Sequence, residues 1–131
     1  IARYTQRDVR RLLNDPGIVR NRLKIESAIK NAQRVLDIRQ THGSLDAFLW
    51  RYVDGTTVQN VRRRMADIPA RTKESDQMSK DLKKRGFNFV GSTICYAFMQ
   101  AVGMVNDHTT DCFRHKTIRK LGRTRQIRLK R

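Results

Sequence analysis

The chain has 131 residues, of which 38% are hydrophobic, and its 29 Lys and Arg against 12 Asp and Glu give a net charge of +17. That length and apolar content fit one compact domain with one modest core. The charge, with a pI near 11.2, makes a polyanion the expected partner through counterion release. No apolar run approaches a membrane-spanning length. Two cysteines, Cys95 and Cys112, are too few for a disulfide framework and point to a reducing, intracellular compartment. Because the chain opens on Ile1 rather than Met, a preceding segment is expected.

Thr5 is placed to cap a short helix over Gln6 to Asn14, with Asp8 as its capping-box partner and Val9, Leu12 and Leu13 on one face. Asp15-Pro16-Gly17 ends it. The strongest periodic segment follows, where Ile25, Ala28, Ile29, Ala32, Val35 and Leu36 form an apolar stripe. His42-Gly43 closes that helix and Ser44 caps the next, a short aromatic-rich one carrying Phe48, Leu49 and Tyr52. Residues 56–71 are less regular. Thr72 or Ser75 then caps a helix to about Arg85, stopped by Gly86. A very apolar helix runs from near Gly91 to Gly103. No strand alternation and no internal repeat is visible.

From Arg114 the character changes. Arg114, Lys116, Arg119, Lys120, Arg123, Arg125, Arg128, Lys130 and Arg131 are nine cations without an acid, and removing them leaves +8. Apolar residues are sparse there, so residues 114–131 are expected to be an extended basic tail, ordered only on binding. The folded domain is expected over 1–113.

The sharpest local feature is the helix-hairpin-helix unit from Leu82 to Val105. At the start of its second helix the backbone N–H groups of Gly91, Ser92 and Thr93 lack intrahelical partners and face the positive end of the helix dipole, which suits a phosphate oxygen. Gly91 permits close approach of backbone, and Lys83, Lys84 and Arg85 supply charge nearby. Such a unit grips the nucleic-acid backbone without reading bases. On spacing alone, an ordinary helical corner with a solvated basic face is equally open.

The run from Lys83 to Ala101, with its pattern KKRGF-x-FVG-x-T-x-CY-x-FMQA, followed by Gly103-Met104-Val105-Asn106-Asp107-His108, closely resembles the DNA-3-methyladenine glycosylase I family. Gly17 to Ile25, Phe48-Leu49-Trp50, Asp67-Ile68-Pro69 and Ser75-Asp76 agree, and the resemblance covers roughly residues 1–112. It implies an all-α, helix-hairpin-helix glycosylase-like bundle, N-terminally incomplete, in a family that excises 3-methyladenine by base flipping. It also implies that the acidic residue and aromatics of the base pocket lie in an N-terminal portion with no counterpart here, so no catalytic residue carries over. Trp50 and Tyr96 read as core aromatics. Two of the family's four zinc ligands have counterparts, His108 and Cys112, which would share a face if that segment were helical. Zinc is therefore expected only if two further ligands come from outside the chain, with His115 a substitute candidate; otherwise no cofactor is implied.

Two functions follow. The one preferred on sequence is a non-catalytic protein derived from the glycosylase scaffold. It would bind structured RNA among other proteins of a ribonucleoprotein such as a mitochondrial ribosome, through the hairpin and the tail cations Arg114, Lys116, Arg119, Lys120, Arg123 and Arg125. The alternative is part of an active DNA-3-methyladenine glycosylase of base excision repair, with DNA as partner. A membrane surface is the weakest partner, because the tail lacks the apolar face of an interfacial helix.

Overall fold

Side-chain caps fix where most of the helices begin. In the computed structural model, which describes residues 1–124, Thr5 Oγ1 accepts the Arg7 N–H at 3.3 Å while Asp8 accepts the Thr5 N–H at 2.9 Å. This capping box opens α1 (Gln6–Leu13), whose Val9 is buried. Asn21 caps α2 (Arg22–His42), which stops at Gly43 in a positive-φ conformation. Ser44 caps α3 (Leu45–Trp50), and a single 3-10 turn, Arg51–Val53, follows. Thr72 rather than Ser75 is the cap of α4 (Lys73–Lys84), and α5 (Ser92–Ala101) starts at Gly91.

The core is built where α3, α4 and α5 meet. Phe48, Trp50, Met78, Leu82, Tyr96 and Met99 are buried in one cluster. The long helix α2 joins it mainly through Ile38, which is 1% exposed. The sequence stripe ends instead on Leu36, which is 44% exposed, and Ala28 also faces outward. Over six turns a stripe drifts around the helix, and only the part above the core is covered.

A short parallel ladder, absent from the sequence reading, crosses the far side of this cluster. β1 (Val58–Gln59) pairs with β2 (Val105–Asn106) in the register Val58–Val105 and Gln59–Asn106, and an isolated bridge joins Arg62 to Thr109. Two residues per strand are too few to show alternation in sequence. The ladder fixes residues 57–62 against the end of α5, helped by the Thr57 hydroxyl donating to the Gly103 carbonyl at 2.8 Å.

The basic stretch departs from expectation. Phe113–Thr124 forms α6 rather than an extended tail. Its docking explains why. His115 is buried, its carbonyl accepts from Asn106 Nδ2 at 3.1 Å, and Gly122 sits directly on Thr57 and Gln59. Tertiary contact supplies what the composition lacks. Arg125 and the cations beyond it lie outside the described residues. Among the described residues no helix is long and apolar enough to cross a membrane.

A Cβ at Gly122 would meet Gln59 Nε2 at 2.8 Å and the Thr57 Cβ at 2.9 Å. Gly122→Val is therefore expected to destabilise the protein by about 1–3 kcal/mol through overpacking. Thermal unfolding, with faster amide exchange along α6, measures this; an unchanged α6 would refute the docking contact.

Candidate nucleic-acid interface

The hairpin between α4 and α5 is held from three sides. Gly86 turns the chain with φ +85°, beneath the aliphatic stems of Arg34 and Lys30. Asn31 of α2 then clamps the loop: its Nδ2 donates to the Asn88 carbonyl and its Oδ1 accepts the Asn88 N–H, both at 2.9 Å. The Ser79 hydroxyl donates to the Val90 carbonyl at 2.6 Å. These bonds satisfy loop backbone that helix and sheet leave unpaired. Phe89, at the tip, adopts φ +56° and is 49% exposed. A non-glycine residue there stores on the order of 1 kcal/mol of strain.

The expected hairpin residues separate into different roles. Gly91 is the N-cap of α5 with no side-chain cap, and a Cβ built on it meets nothing within 4 Å. Its φ of −61° is open to any residue, so neither strain nor packing among the described residues requires glycine. Lys83 and Lys84 are exposed, and so is Thr93. The Ser92 hydroxyl is engaged within the chain, donating to Asp76 Oδ1 at 2.5 Å and lying 2.9 Å from Ser75 Oγ. Arg85 turns away from the lysines. Its guanidinium lies 4.9 Å from the centre of the Phe48 ring and 3.4 Å from His42 Nε2, beside Arg51. Burial, then the charges of Arg85 and Arg51, hold the His42 imidazole below its ordinary pKa.

On α6, Arg114, Lys116, Arg119 and Lys120 are exposed, and Arg123 lies in its last turn. At helical spacing Lys116 and Lys120 fall on the side away from His115 and Gly122, whereas Arg119, four residues from His115 and three from Gly122, borders the docked side. Docking thus leaves Lys116 and Lys120 facing outward.

A second site was not legible in sequence. Asp107 is 6% exposed, and four donors converge on it: Asn60 Nδ2 at 2.8 Å, Arg62 Nε at 3.0 Å, Gln100 Nε2 at 3.0 Å and the Tyr96 hydroxyl. Burial pushes the Asp107 carboxyl up, but the bonds from Tyr96, Gln100, Arg62 and Asn60 outweigh it and hold the group below its ordinary 3.8. Burial, and then the bond to Asp107 and its charge, push the Tyr96 phenol up to about 12. Tyr96 is therefore a core aromatic with a polar task, whereas Trp50 is simply buried.

His108 and Cys112 follow directly. They are brought together by a turn, closed by the Cys112 N–H on the Thr109 carbonyl at 2.9 Å, and not by a helix. His108 Nδ1 and Cys112 Sγ are 3.5 Å apart. Two vertices of a tetrahedral zinc with bonds of ~2.0 Å to nitrogen and ~2.3 Å to sulfur are separated by ~3.5 Å. The pair thus fits half of a zinc site. Among the described residues no third His, Cys, Asp or Glu joins them. His115 is not a substitute, because its ring faces the Asn60 carbonyl at 3.4 Å within the α6 contact. The pair lines a cleft of about 820 Å³ with Gln100, Asp107, Met65 and Ile118.

Helical layers around a clamped hairpin define an all-α, glycosylase-like helix-hairpin-helix scaffold. The sequence profile described as methyladenine glycosylase matches residues 1–115, and the chain belongs to that family. It is 45% identical over 112 residues to DNA-3-methyladenine glycosylase 1 of Escherichia coli K12, and 38% identical over 112 residues to the DNA-3-methyladenine glycosylase of Haemophilus influenzae. Each alignment covers 86% of this chain and 60% of the relative, in the E. coli case its C-terminal part. A crystal structure of 3-methyladenine DNA glycosylase I superposes with a TM-score of 0.83 at 48% identity, covering 87% of this chain and 63% of that one. The Staphylococcus aureus enzyme, solved for the structural basis of 3-methyladenine recognition, gives 0.82 at 37% identity, covering 85% and 59%. These relatives are named as 3-methyladenine DNA glycosylases. They favour the alternative of the sequence analysis over its preferred RNA and ribosomal reading, which they do not support.

The Asp107 network yields a pH test. Because the folded-state pKa is depressed, its contribution is full at neutral pH and is lost as pH falls through that pKa, below 3.8. Asp107→Asn, which leaves Arg62 without its partner, is expected to cost about 3 kcal/mol at pH 7. It should also flatten the acid limb of urea-unfolding stability. At the other end, stability falls as pH rises from 10 to about 12, through the raised Tyr96 pKa, and Tyr96→Phe removes that loss.

Proposed function

We propose that this chain is the DNA-gripping part of a 3-methyladenine DNA glycosylase. Its helix-hairpin-helix holds a backbone phosphate while the base pocket is completed by family residues outside its span. The observation that carries this is the N-terminus of α5. Gly91 is a glycine that no packing contact among the described residues requires, at a helix start with no side-chain cap. Close approach of an outside group, with N–H groups and the helix dipole directed at an anion, accounts for it.

Lys83 and Lys84 add charge next to this corner, and Phe89 offers an apolar contact at the tip. The outward cations of α6 extend the basic surface. Such contacts position a duplex without reading its sequence. Excision itself needs an extruded base held in a pocket. Relatives named for that activity are longer by the portion this chain does not span. We assign DNA rather than RNA as the partner on the strength of those relatives.

Gly91→Val is expected to cost about 1 kcal/mol of stability, the ordinary penalty for valine at an N-cap, and to leave the protein folded. It should nevertheless weaken duplex DNA binding tenfold or more, because the side chain fills the space a phosphate needs. Lys84→Gln should lower the slope of log K against log salt by about 1. Fluorescence anisotropy with a duplex, repeated with a structured RNA of equal length, measures both. Undiminished binding by Gly91→Val, or preference for the RNA, would overturn the proposal.

A further inference from the structure

Two guanidiniums from separate elements meet over one aromatic ring. Arg51 lies 4.1 Å and Arg85 4.9 Å from the centre of the buried Phe48 ring. Each also comes to 3.4 Å from the same atom, His42 Nε2. The Thr41 hydroxyl donates its proton to the Asp37 carbonyl at 3.0 Å, so it accepts from His42 Nδ1 at 2.7 Å. His42 Nε2 is left with one lone pair between two cations, and each guanidinium carries several N–H donors. Arg51 directs others at the Tyr52 hydroxyl, 3.0 Å away, and at Asp81, 3.4 Å away. Asp81 is itself shared, because Tyr52 and Gln77 donate to it at 2.7 and 3.0 Å. Among the described residues no carboxylate pairs with Arg85 or Lys84. Arg51, Asp81, Lys84 and Arg85 together line a cleft of about 370 Å³.

We propose that this cleft binds a phosphate group of the DNA backbone, with Arg51 and Arg85 as paired donors and Lys84 as a third cation. Like charges held together repel, and one ring face and one lone pair offset only part of that cost. A phosphate has acceptor oxygens for both guanidiniums at once, and such charge-assisted bonds are the strong ones. The end of α4 attracts cations in any case, through the helix dipole, and that accounts for Lys84. It does not account for Arg51, which the turn after α3 sets against the same ring and the same histidine nitrogen as Arg85. The position fits the backbone as the source. Asp81, Lys84 and Arg85 stand immediately before the turn at Gly86, so residues 86–90 alone separate the cleft from the start of α5. Two phosphate contacts, one at each end of the hairpin, fix the orientation of a duplex as well as its position. This deepens the DNA-gripping reading and rests on it.

The test follows the ring resonances of His42 by NMR in the whole chain, identified by their loss in His42→Gln. A short DNA duplex is added, then in a separate series inorganic phosphate, with sodium chloride at matched ionic strength as the reference. The duplex is expected to shift the His42 signals saturably, chloride is not, and His115, buried under α6, is expected to stay in place. By fluorescence anisotropy, Arg51→Gln and Arg85→Gln should each weaken duplex binding by about fivefold or more. Asp81→Asn removes the competing negative charge and should tighten binding by about twofold. That gain separates a phosphate site from a merely structural cluster, which loses by the same change. The Tm of each variant is measured alongside, and where Arg85→Gln fails to fold, Arg51→Gln and Asp81→Asn decide. His42 signals unmoved by the duplex, or undiminished binding by folded arginine variants, overturns the proposal. A saturable response to inorganic phosphate with none to the duplex overturns the backbone as the source and leaves a free phosphate as the ligand. Gly91→Val in the same assays keeps the two grips apart: if it alone binds normally the α5 corner fails, and if the arginine variants alone bind normally the cleft fails.

Discussion

The buried carboxylate of Asp107 is the constraint on which the candidate site depends. It draws donors from two directions: Asn60 and Arg62 from the irregular segment after β1, Tyr96 and Gln100 from α5. An unpaired carboxylate at that depth costs several kcal/mol, so the four partners are obliged to converge. Their convergence fixes residues 58–62 beside β2. It also sets the start of the turn that brings His108 to Cys112. One residue before Asp107, Asn106 donates to the Gln59 side chain and to the His115 carbonyl, which seats α6. A chain with two-residue strands thus gains a rigid far side from charge and hydrogen bonding rather than from sheet.

Much of the architecture is readable because it is written locally. Thr5 with Asp8, Ser44 and Thr72 cap helices where their positions imply, and Gly43 and Gly86 end them with positive φ. The hairpin is a continuous run of sequence, so its glycines and basic residues are found together. What escapes is long-range. Asn31 meets Asn88 across 57 residues, and Arg62 meets Asp107 across 45; no periodicity marks either pair. Arg85 reads as a surface cation beside Lys83 and Lys84, yet Phe48 and His42 draw it inward. Composition says a guanidinium is charged but not which ring it will cover.

The basic stretch shows how composition misleads in a specific way. Nine cations and few apolar residues argue against a helix that stands alone. They do not argue against one with a prepared seat. The signal lies in Gly122 and His115, a small residue and a hydrogen-bonding ring seven positions apart, both on the buried side of α6. Each is unremarkable until Thr57 and Asn60 are placed opposite. Once the helix is docked, its cations become a face with a fixed orientation, no longer a flexible cloud of charge. A helix docked on a glycosylase scaffold presents fixed surface charge rather than a loose RNA-binding tail.

The division between binding and chemistry within this fold follows from what each demands of structure. A phosphate needs only open N–H groups, a helix dipole and nearby cations, which one corner of one chain supplies at α4 and α5. A base pocket needs enclosure, because a flipped base must be stacked and hydrogen-bonded on several sides while water is excluded. Enclosure asks for walls on several sides, whereas the start of α5 offers its N–H groups at a corner.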